Sequence, residues 1–322
     1  MKSPIWLGLD IGGTRLKGGV LNAQGEVLAH DIEPTRPLQS HRALERQLNA
    51  LIGRLLRAAS IKRPAGIGAA ITGPVDPARG CIHLPGKIAG LDRHATVPFL
   101  NKRWRAPVVA GNDGRLACYA EWRAGAGRGV DNLLVITLGT GIGSGVVLDG
   151  RLLTDRHFQR GTQCGHFVID LNGPRCLTGA NGTGESLASI TALVQNVRDA
   201  LVRGLPMTLS HRSPADIRFP EIANAVRDRD PIITEIFETW LDRFTAVLLN
   251  SFYAYTPRLI VLGGGPMKAA DILLKPLENR LNAAAFRVPV GYRIPLRAAA
   301  LGEDAGWRGA ALLAQEKFGG IS

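Results

Sequence analysis

Residues 5–14, Ile-Trp-Leu-Gly-Leu-Asp-Ile-Gly-Gly-Thr, join a short apolar run to a carboxylate and two glycines. An apolar run of this length before a glycine turn is typical of a buried β-strand, and we expect the strand to end at Asp10. The apolar residues in 16–21 and 26–29 predict two returning strands. The chain is therefore expected to open with a meander of three strands.

The same pattern recurs at an offset of 127 residues, at which Gly12 corresponds to Gly139 and Asp10 corresponds to Thr137. Residues 132–148 accordingly predict a strand, a glycine turn and a second strand. Self-similarity of this kind suggests duplicated domains, each with a ligand-facing turn. Coincidence between two Gly/Val-rich hairpins is the alternative interpretation.

The spacing of apolar residues predicts the other elements of the chain. Helices are expected over 41–60, 116–122, 186–203, 220–227, 231–255, 270–286 and 306–317. Further buried strands are expected over 67–71, 108–110 and 259–262. Asn112 and Asp113 then fall in the connecting turn before the helix at 116–122, and residues 161–185 are expected to be rich in loops.

Composition excludes several classes of protein. Hydrophobic residues make up 45% and charged residues 20% of the 322 residues, which is too apolar for a disordered chain. No apolar run approaches the roughly 20 residues of a membrane-spanning helix, and the first residues predict a strand instead of a secretion signal. We therefore expect a soluble, cytoplasmic protein with no membrane partner. Its four cysteines are too scattered for a disulfide framework, so we expect reduced thiols.

The net charge of +12 would suit a polyanionic partner, but the basic residues are dispersed. A solvated, arginine-rich surface is therefore favoured over nucleic-acid binding, and phosphorylated ligands are consistent with it. The turn after the first strand is a candidate phosphate site, because glycines let backbone N–H groups approach phosphate oxygens. Thr14 and Lys17 would add donors, and Asp10 is placed to hold Mg²⁺ through water. A plain hairpin in which Asp10 caps its own turn is the alternative.

Neither common nucleotide motif is present. The sequence contains no Gly-x4-Gly-Lys-Ser/Thr loop, and residues 144–148 after the second glycine turn predict a strand where a dinucleotide-binding unit needs a helix. Three glycine turns nevertheless follow predicted strands, at 10–14 (Asp-Ile-Gly-Gly-Thr), 138–145 (Leu-Gly-Thr-Gly-Ile-Gly-Ser-Gly) and 261–265 (Val-Leu-Gly-Gly-Gly).

In this order and spacing the three turns resemble the actin and hexokinase superfamily and, more narrowly, the glucokinase-like sugar kinases of the ROK family. The resemblance runs nearly end to end and extends to 71–76, Asn112-Asp113, Gly165-His166, Gly179-x-x-Gly182 with Glu185, and 304–311. It implies an α/β fold of two similar lobes, with RNase H-like mixed β-sheets flanked by helices, around a central cleft. We expect a smaller domain of residues 1–114 with 302–322 and a larger domain of residues 115–301.

The resemblance also implies a role for each matching residue. Asp113 would be the catalytic base, although an Asx turn that caps the next helix is the structural alternative for Asn112-Asp113. The sugar would be bound by Gly73, Asn112, Asp113, Gln163, His166 and Glu185. The nucleotide would be bound by Gly12, Gly13, Thr14, Lys17, Gly139, Thr140, Gly141, Gly264 and Gly265.

This sequence departs from the family pattern in three places. Gln163 stands where many relatives have a glutamate, which keeps an acceptor and adds donors. The sugar-contacting asparagine expected after Pro85 is absent, since Gly86 follows. The family's structural zinc site uses a histidine and three cysteines, but here 176–183 has Thr178 and Thr183 at two of the thiolate positions. Hydroxyls are poor zinc ligands, so we expect no structural zinc; finding one zinc per purified chain would contradict this.

The resemblance therefore implies a homodimeric enzyme that uses ATP and Mg²⁺ to phosphorylate a hexose such as glucose, or an N-acetylhexosamine, at O6. A catalytically weakened sugar sensor of the same fold is one alternative, and a kinase that uses polyphosphate is another. A DNA-binding repressor is not expected, because the phosphate motif already begins at Asp10.

Overall fold

The computed structural model describes residues 4–36, 40–76, 79–82, 90–154, 162–286 and 292–319. The segment around Pro85 and Gly86 lies outside these residues. The chain forms two compact units, unit 1 from residues 1–129, 152–162 and 303–322, and unit 2 from residues 130–151 and 163–302. No helix in the described ranges combines the length and apolarity needed to cross a bilayer.

The strands and helices are numbered in chain order. The strands are β1 (Trp6–Ile11), β2 (Arg15–Leu21), β3 (Val27–Pro34), β4 (Gly66–Ile71), β5 (Val75–Asp76), β6 (Cys81–Ile82), β7 (Val108–Asn112), β8 (Leu133–Leu138), β9 (Ile142–Leu148), β10 (Arg151–Leu152), β11 (Leu259–Gly263) and β12 (Leu296–Ala298). The helices are α1 (His41–Ala58), α2 (Thr96–Trp104), α3 (Asp113–Ala124), α4 (Gly184–Ala188), α5 (Ile190–Val202), α6 (Phe219–Arg227), α7 (Pro231–Tyr255), α8 (Ala270–Ala284) and α9 (Ala305–Phe318).

The sheet of unit 1 has the strand order β3-β2-β1-β4-β7. β2 is antiparallel to both of its neighbours, while β1, β4 and β7 are parallel. Parallel strands end at the same edge of a sheet, so the residues that follow β1, β4 and β7 lie side by side. This edge therefore brings together three segments that are far apart in the sequence.

Helices cover unit 1 by two different kinds of packing. α1 buries an apolar stripe that includes Leu44, Leu48 and Leu55, in the same core cluster as the β1 side chains. α9 instead packs through its backbone, because a Cβ added at Gly68 would lie 1.8 Å from the carbonyl oxygen of Ala310. Glycine in the interior strand β4 is thus required by the close approach of a helix.

The sheet of unit 2 repeats this arrangement, with the order β10-β9-β8-β11-β12. β8 and β9 begin and end 127 residues after β1 and β2, as the internal offset predicts. The register differs by one residue, since Asp10 pairs with Lys17 whereas Thr137 pairs with Gly143. Two α/β units with mixed sheets and flanking helices confirm the predicted fold class; the domain limits at residues 114 and 302 stay a prediction.

Some local predictions were wrong. The helix expected over 186–203 is two helices, because Ser189 adopts an extended conformation (ψ 165°) and caps α5 by accepting the N–H of Ala192. Five elements were not predicted at all: α2, β5, β6, β10 and β12. All are short, nine residues for α2 and two or three for each strand, and offer little periodicity to detect.

Candidate active site

Asn112 is the N-cap of α3. Its side-chain oxygen accepts the N–H of Arg115 at 3.1 Å, and its amide Nδ2 donates to the carbonyl of Gly73 at 3.0 Å. The expectation that Asn112 and Asp113 form a turn before a helix at 116–122 was therefore wrong, since α3 already begins at Asp113. The cap adds one turn to the helix and fixes two predicted sugar-binding residues against each other.

Asp113 stands in the first turn of α3, where the helix dipole favours a negative charge. Its Oδ1 accepts the N–H of Gly114 at 2.8 Å and the Nδ2 of Asn112 at 2.9 Å. Two donors therefore hold the orientation of the carboxylate. Asn112 can therefore cap α3 while Asp113 serves as a catalytic base, so the structural and the catalytic interpretations of Asn112-Asp113 do not exclude each other.

Asp10 lies at the same edge, at the end of β1. The pKa of Asp10 is raised from 3.8 to about 7, mainly because the carboxyl is buried; the negative charge of Asp113 contributes to the rise, and the positive charge of Lys17 opposes it. A Cβ at Gly306, in the first turn of α9, would lie 2.7 Å from its Oδ2, so only glycine leaves room for the carboxylate. Two carboxylates and one ammonium are thus concentrated at the carboxyl edge of the unit 1 sheet.

Lys17 has a partner within unit 1. Its Nζ donates to the carbonyl oxygen of Glu303 at 2.9 Å and lies 3.8 Å from the carboxylate of the same residue. The Glu303 carboxylate also contacts Arg15 at 2.8 Å. The side chain thereby connects β2 to the segment that leads into α9, and the expected contact of Lys17 with phosphate stays a prediction.

In the turn of residues 12–14, the carbonyls of Gly12 and Thr14 accept hydrogen bonds, whereas two backbone amides are left without an acceptor in the described chain. Thr35 donates to the turn twice, from Oγ1 to the carbonyl of Gly12 at 2.7 Å and from its N–H to the carbonyl of Thr14 at 2.9 Å. Within the described part of the chain the N–H groups of Gly13 and Thr14 have no acceptor. Open amides beside satisfied carbonyls make a concavity suited to an anion.

The turn of residues 139–141 in unit 2 has the same property. The carbonyls of Gly139, Thr140 and Gly141 accept, respectively, the N–H of Ile190 at 3.0 Å, the Oγ1 of Thr191 at 2.9 Å and the N–H of Gly139 itself at 3.0 Å. No described group accepts the N–H of Thr140 or of Gly141. These two positions are the offset counterparts of Gly13 and Thr14.

The third glycine turn follows β11, which is parallel to β8. Gly264 has φ 98°, and a Cβ there would lie 2.0 Å from the carbonyl oxygen of Leu138, so this glycine lets two strand ends approach closely. A Cβ at Gly265 or at Gly139 would meet no atom of the described residues within 4 Å, apart from its chain neighbours. Open backbone on two neighbouring strand ends is suited to a flat or anionic ligand.

The predicted sugar-binding segment 163–166 packs against β9 and α7. The N–H of Cys164 donates to the Oγ of Ser144 at 2.9 Å, and the His166 N–H donates to the carbonyl of Gln163 at 3.0 Å. The ring Nδ1 of His166 is buried and has no hydrogen-bond partner among the described residues. A polar atom left in this state is available to a ligand.

Glu185 contacts the glycine turn that follows β8. Its Oε2 accepts the N–H of Ile142 at 2.9 Å, and a Cβ at Gly141 would lie 2.3 Å from the same oxygen. The carboxylate therefore lies on the turn that is predicted to face the nucleotide. A sugar contact by Glu185 stays a prediction.

The residues at the positions of the family's structural zinc site do not suit that metal in this chain. The Sγ of Cys176 and the Oγ1 of Thr178 are hydrogen-bonded at 2.8 Å, and the Thr178 N–H donates to Sγ at 3.3 Å. Burial tends to raise the pKa of the Cys176 thiol, but hydrogen bonds from Thr178 and Thr183 hold it below its ordinary value. Cys176 and His166 supply only two of the four S/N donors of a closed zinc site.

Three residues that hold the site together were not singled out from the sequence. They are Thr35, Ser144 and Thr191, each of which bonds a backbone group of a predicted site segment through its hydroxyl. Ser144 lies within a recognisable Gly-Ser-Gly repeat. Thr35 and Thr191 carry no local signal, because their partners are 23 and 51 residues away.

Relatives of known function match the chain over almost its whole length. Glucokinase of Thermotoga maritima is 29% identical, and the match covers 98% of each chain. An N-acetylmannosamine kinase of Escherichia coli is 30% identical over 96% of this chain and 98% of its own.

Solved structures share the fold. A ROK family glucokinase from Streptomyces griseus, in complex with glucose and AMPPNP, has a TM-score of 0.84 at 27% identity, with 97% of this chain and 99% of that chain covered. A ROK family transcriptional regulator homologous to the Escherichia coli MLC protein has a TM-score of 0.85 at 26% identity, with 98% of this chain and 79% of the regulator covered. The model of the ROK family matches residues 6–317, and the chain therefore belongs to the ROK family.

Proposed function

We propose that this protein is a sugar kinase, which transfers the γ-phosphoryl group of ATP to O6 of a hexose such as glucose, or of an N-acetylhexosamine. The observation that carries the proposal is Asp113, held by Asn112 and Gly114 at the carboxyl edge of the unit 1 sheet. Glucokinases and N-acetylmannosamine kinases among the relatives support the reaction class.

Asp113 would accept the proton of the attacking hydroxyl. The transition state of phosphoryl transfer is loose, so the nucleophile needs alignment more than a strong base. A carboxylate held through Oδ1 by two donors supplies that alignment. The Asn112 amide, itself fixed on the Gly73 carbonyl, would orient a neighbouring hydroxyl.

Gln163 and His166 would complete the sugar contacts. The unpartnered Nδ1 of His166 supports a ligand at or near that ring. Gln163 is neutral, whereas many relatives have a glutamate at this position. This chain would therefore differ from them in its preference among sugar epimers or acyl substituents.

The open amides of the turns at 12–14 and 139–141 would bind phosphate oxygens, and the turn at Gly264-Gly265 would lie along the adenosine. Asp10 fits Mg²⁺, which prefers oxygen ligands and keeps much of its water, and the described residues offer no group of three metal-binding side chains that would enclose the ion completely. When bound, Mg²⁺ neutralises charge on the transferring phosphate.

The test replaces the base. In Asp113→Asn we expect kcat to fall by about 10²-fold or more, because proton acceptance is lost, while sugar affinity changes by only a few-fold. Turnover is measured by ADP release across a hexose and N-acetylhexosamine panel, and sugar binding is measured by calorimetry. Asp228→Asn, at an exposed aspartate, is the matched control. Near-normal turnover of Asp113→Asn would refute the assignment of the base.

A sugar-responsive sensor is the second candidate, and the similarity to a ROK family regulator favours testing it. The same panel separates the two functions. Thermal stabilisation by a sugar without ADP release, and without phosphate transfer from polyphosphate, would identify a sensor. Transfer from polyphosphate alone would identify that donor.

A further inference from the structure

We propose that Glu185 is a positioning residue that holds the turn Gly139–Gly141 in its phosphate-binding conformation. This inference rests on the proposed function and adds to the sugar contact expected of the same side chain. Glu185 would thereby connect two parts of unit 2 that bind different substrates. One side chain would serve the sugar through its expected contact and the nucleotide through the turn.

The first observation is the contact itself. Glu185 Oε2 accepts the N–H of Ile142, the residue directly after the turn, at 2.9 Å. A hydrogen bond from an amide to a carboxylate is stronger than one between neutral groups. The absence of a side chain at Gly141 makes the contact possible, because a Cβ there would lie 2.3 Å from Oε2.

The second observation is that the bond completes the turn. All three turn carbonyls are already used, by Ile190, Thr191 and the turn's own first amide. Glu185 takes the N–H of Ile142, so that the two amides without an acceptor in the described chain are those of Thr140 and Gly141. The contact thus determines which consecutive amides remain for an anion.

The third observation is that hydrogen bonds hold both ends of the helix that carries Glu185. Glu185 lies in the first turn of α4, whose N-cap Thr183 accepts the N–H of Ser186 at 3.3 Å. The indole N–H of Trp240 donates to the carbonyls of Ala188 and Ser189, at 3.0 and 3.1 Å, where α4 ends. A carboxylate on so constrained a helix can hold a turn in place.

Charge and hydrogen bonding predict opposite effects for two substitutions. Glu185→Ala removes both the negative charge and the acceptor; we expect the lost constraint on the turn to outweigh the lost charge repulsion, so that the turn binds phosphate less well. Glu185→Gln keeps an oxygen acceptor for the Ile142 N–H but removes a negative charge near the phosphates. The glutamine variant should therefore bind nucleotide at least as well as the wild type, although its sugar affinity falls.

The experiment measures ADP affinity by calorimetry without sugar, and glucose affinity separately. We expect about tenfold weaker ADP binding for Glu185→Ala, no loss of ADP affinity for Glu185→Gln, and no change for the exposed control Asp228→Asn. Wild-type ADP affinity in Glu185→Ala would overturn the proposal, since a residue that touches only sugar would give that result. Equal ADP weakening in both Glu185 variants would also overturn it.

A second variant guards against a fold defect. Gly141→Ala places a methyl group 2.3 Å from Oε2, which must then move. It should therefore weaken ADP binding by itself, but add little to the loss in the Glu185→Ala background, where there is no carboxylate to displace. Additive losses would contradict the shared contact. The readout is ADP binding and does not require catalysis. If the wild-type protein binds ADP but phosphorylates no sugar, the proposed function is refuted, and the ADP affinities of the variants still test the role of Glu185.

Discussion

At the scale of single residues, the site depends on polar groups whose neighbours set their chemistry. Asn112 and Asp113 form a helix cap of an ordinary kind, yet the cap leaves a carboxylate fixed by two donors. Asp10 is the opposite case, since burial and the negative charge of Asp113 disfavour its charged form. A cation beside Asp10, such as the proposed Mg²⁺, would favour the charged form.

The raised pKa of Asp10 predicts a pH-dependent stability. Between its unfolded value of 3.8 and its folded value of about 7, the folded protein keeps a proton that the unfolded chain releases. The free energy of unfolding therefore falls as pH rises through this window, and levels off above pH 7. Asp10→Asn removes this pH-dependent contribution. The free energy of unfolding of the variant minus that of the wild type should therefore increase by on the order of 2 kcal/mol between pH 5 and pH 8.

Urea unfolding at both pH values measures this difference without ligands. Asp228→Asn, which changes an exposed carboxylate, should show the wild-type dependence. A constant difference between Asp10→Asn and wild type at the two pH values would mean that Asp10 is already charged in the folded protein at pH 5.

At the scale of elements, the two glycine turns, at 12–14 and 139–141, leave equivalent amides open but are held by different hydrogen-bond partners. In each turn, two consecutive amides have no acceptor among the residues that the structure describes, at positions 127 residues apart. In unit 1 a single residue, Thr35, satisfies two turn carbonyls, whereas in unit 2 the start of α5 does so and Glu185 adds a contact. The one-residue difference in register accompanies this change of partners.

Close backbone packing of α9 on the sheet predicts opposite effects for two glycine-to-alanine substitutions. Gly68→Ala should lower the free energy of unfolding by about 1–3 kcal/mol, because the new methyl group meets the Ala310 carbonyl and carbon at 1.8 and 2.3 Å. In Gly53→Ala, inside α1, the new methyl group would lie 3.4 Å from the terminal guanidinium nitrogen of Arg57, an ordinary contact, and the substitution should raise stability by about 0.5–1 kcal/mol. Denaturant unfolding of both variants tests the contrast, and similar losses would contradict it.

At the scale of the whole molecule, the C-terminal residues 303–322 belong to unit 1, together with the N-terminal residues. α9 packs within unit 1 although most of the preceding residues belong to unit 2. Trp307 of α9 is fully buried beside Trp6 and Leu21, and Trp240 of α7 is fully buried in a stack with Phe237 and Phe244. Each unit therefore has its own large aromatic side chain in its core.

This division predicts where each tryptophan acts. Trp307→Ala and Trp240→Ala should each cost about 3–5 kcal/mol. Hydrogen exchange should rise in β1 and β4 for the Trp307 variant and in α5 and α7 for the Trp240 variant. Exchange that rises equally in both units for either variant would contradict the division.

The sequence by itself determined the strand and turn pattern, because alternation, apolar runs and glycines act over a few residues. Residues 6–11 and 133–138 therefore form equivalent strands, as the offset predicts. The same local reasoning extended a helix through Ser189, where a distant tryptophan bonds the backbone. It also left the pKa of Asp10 and the place of Glu185 open. Only the tertiary structure decided these, because each depends on groups that folding brings together from separate elements of the chain.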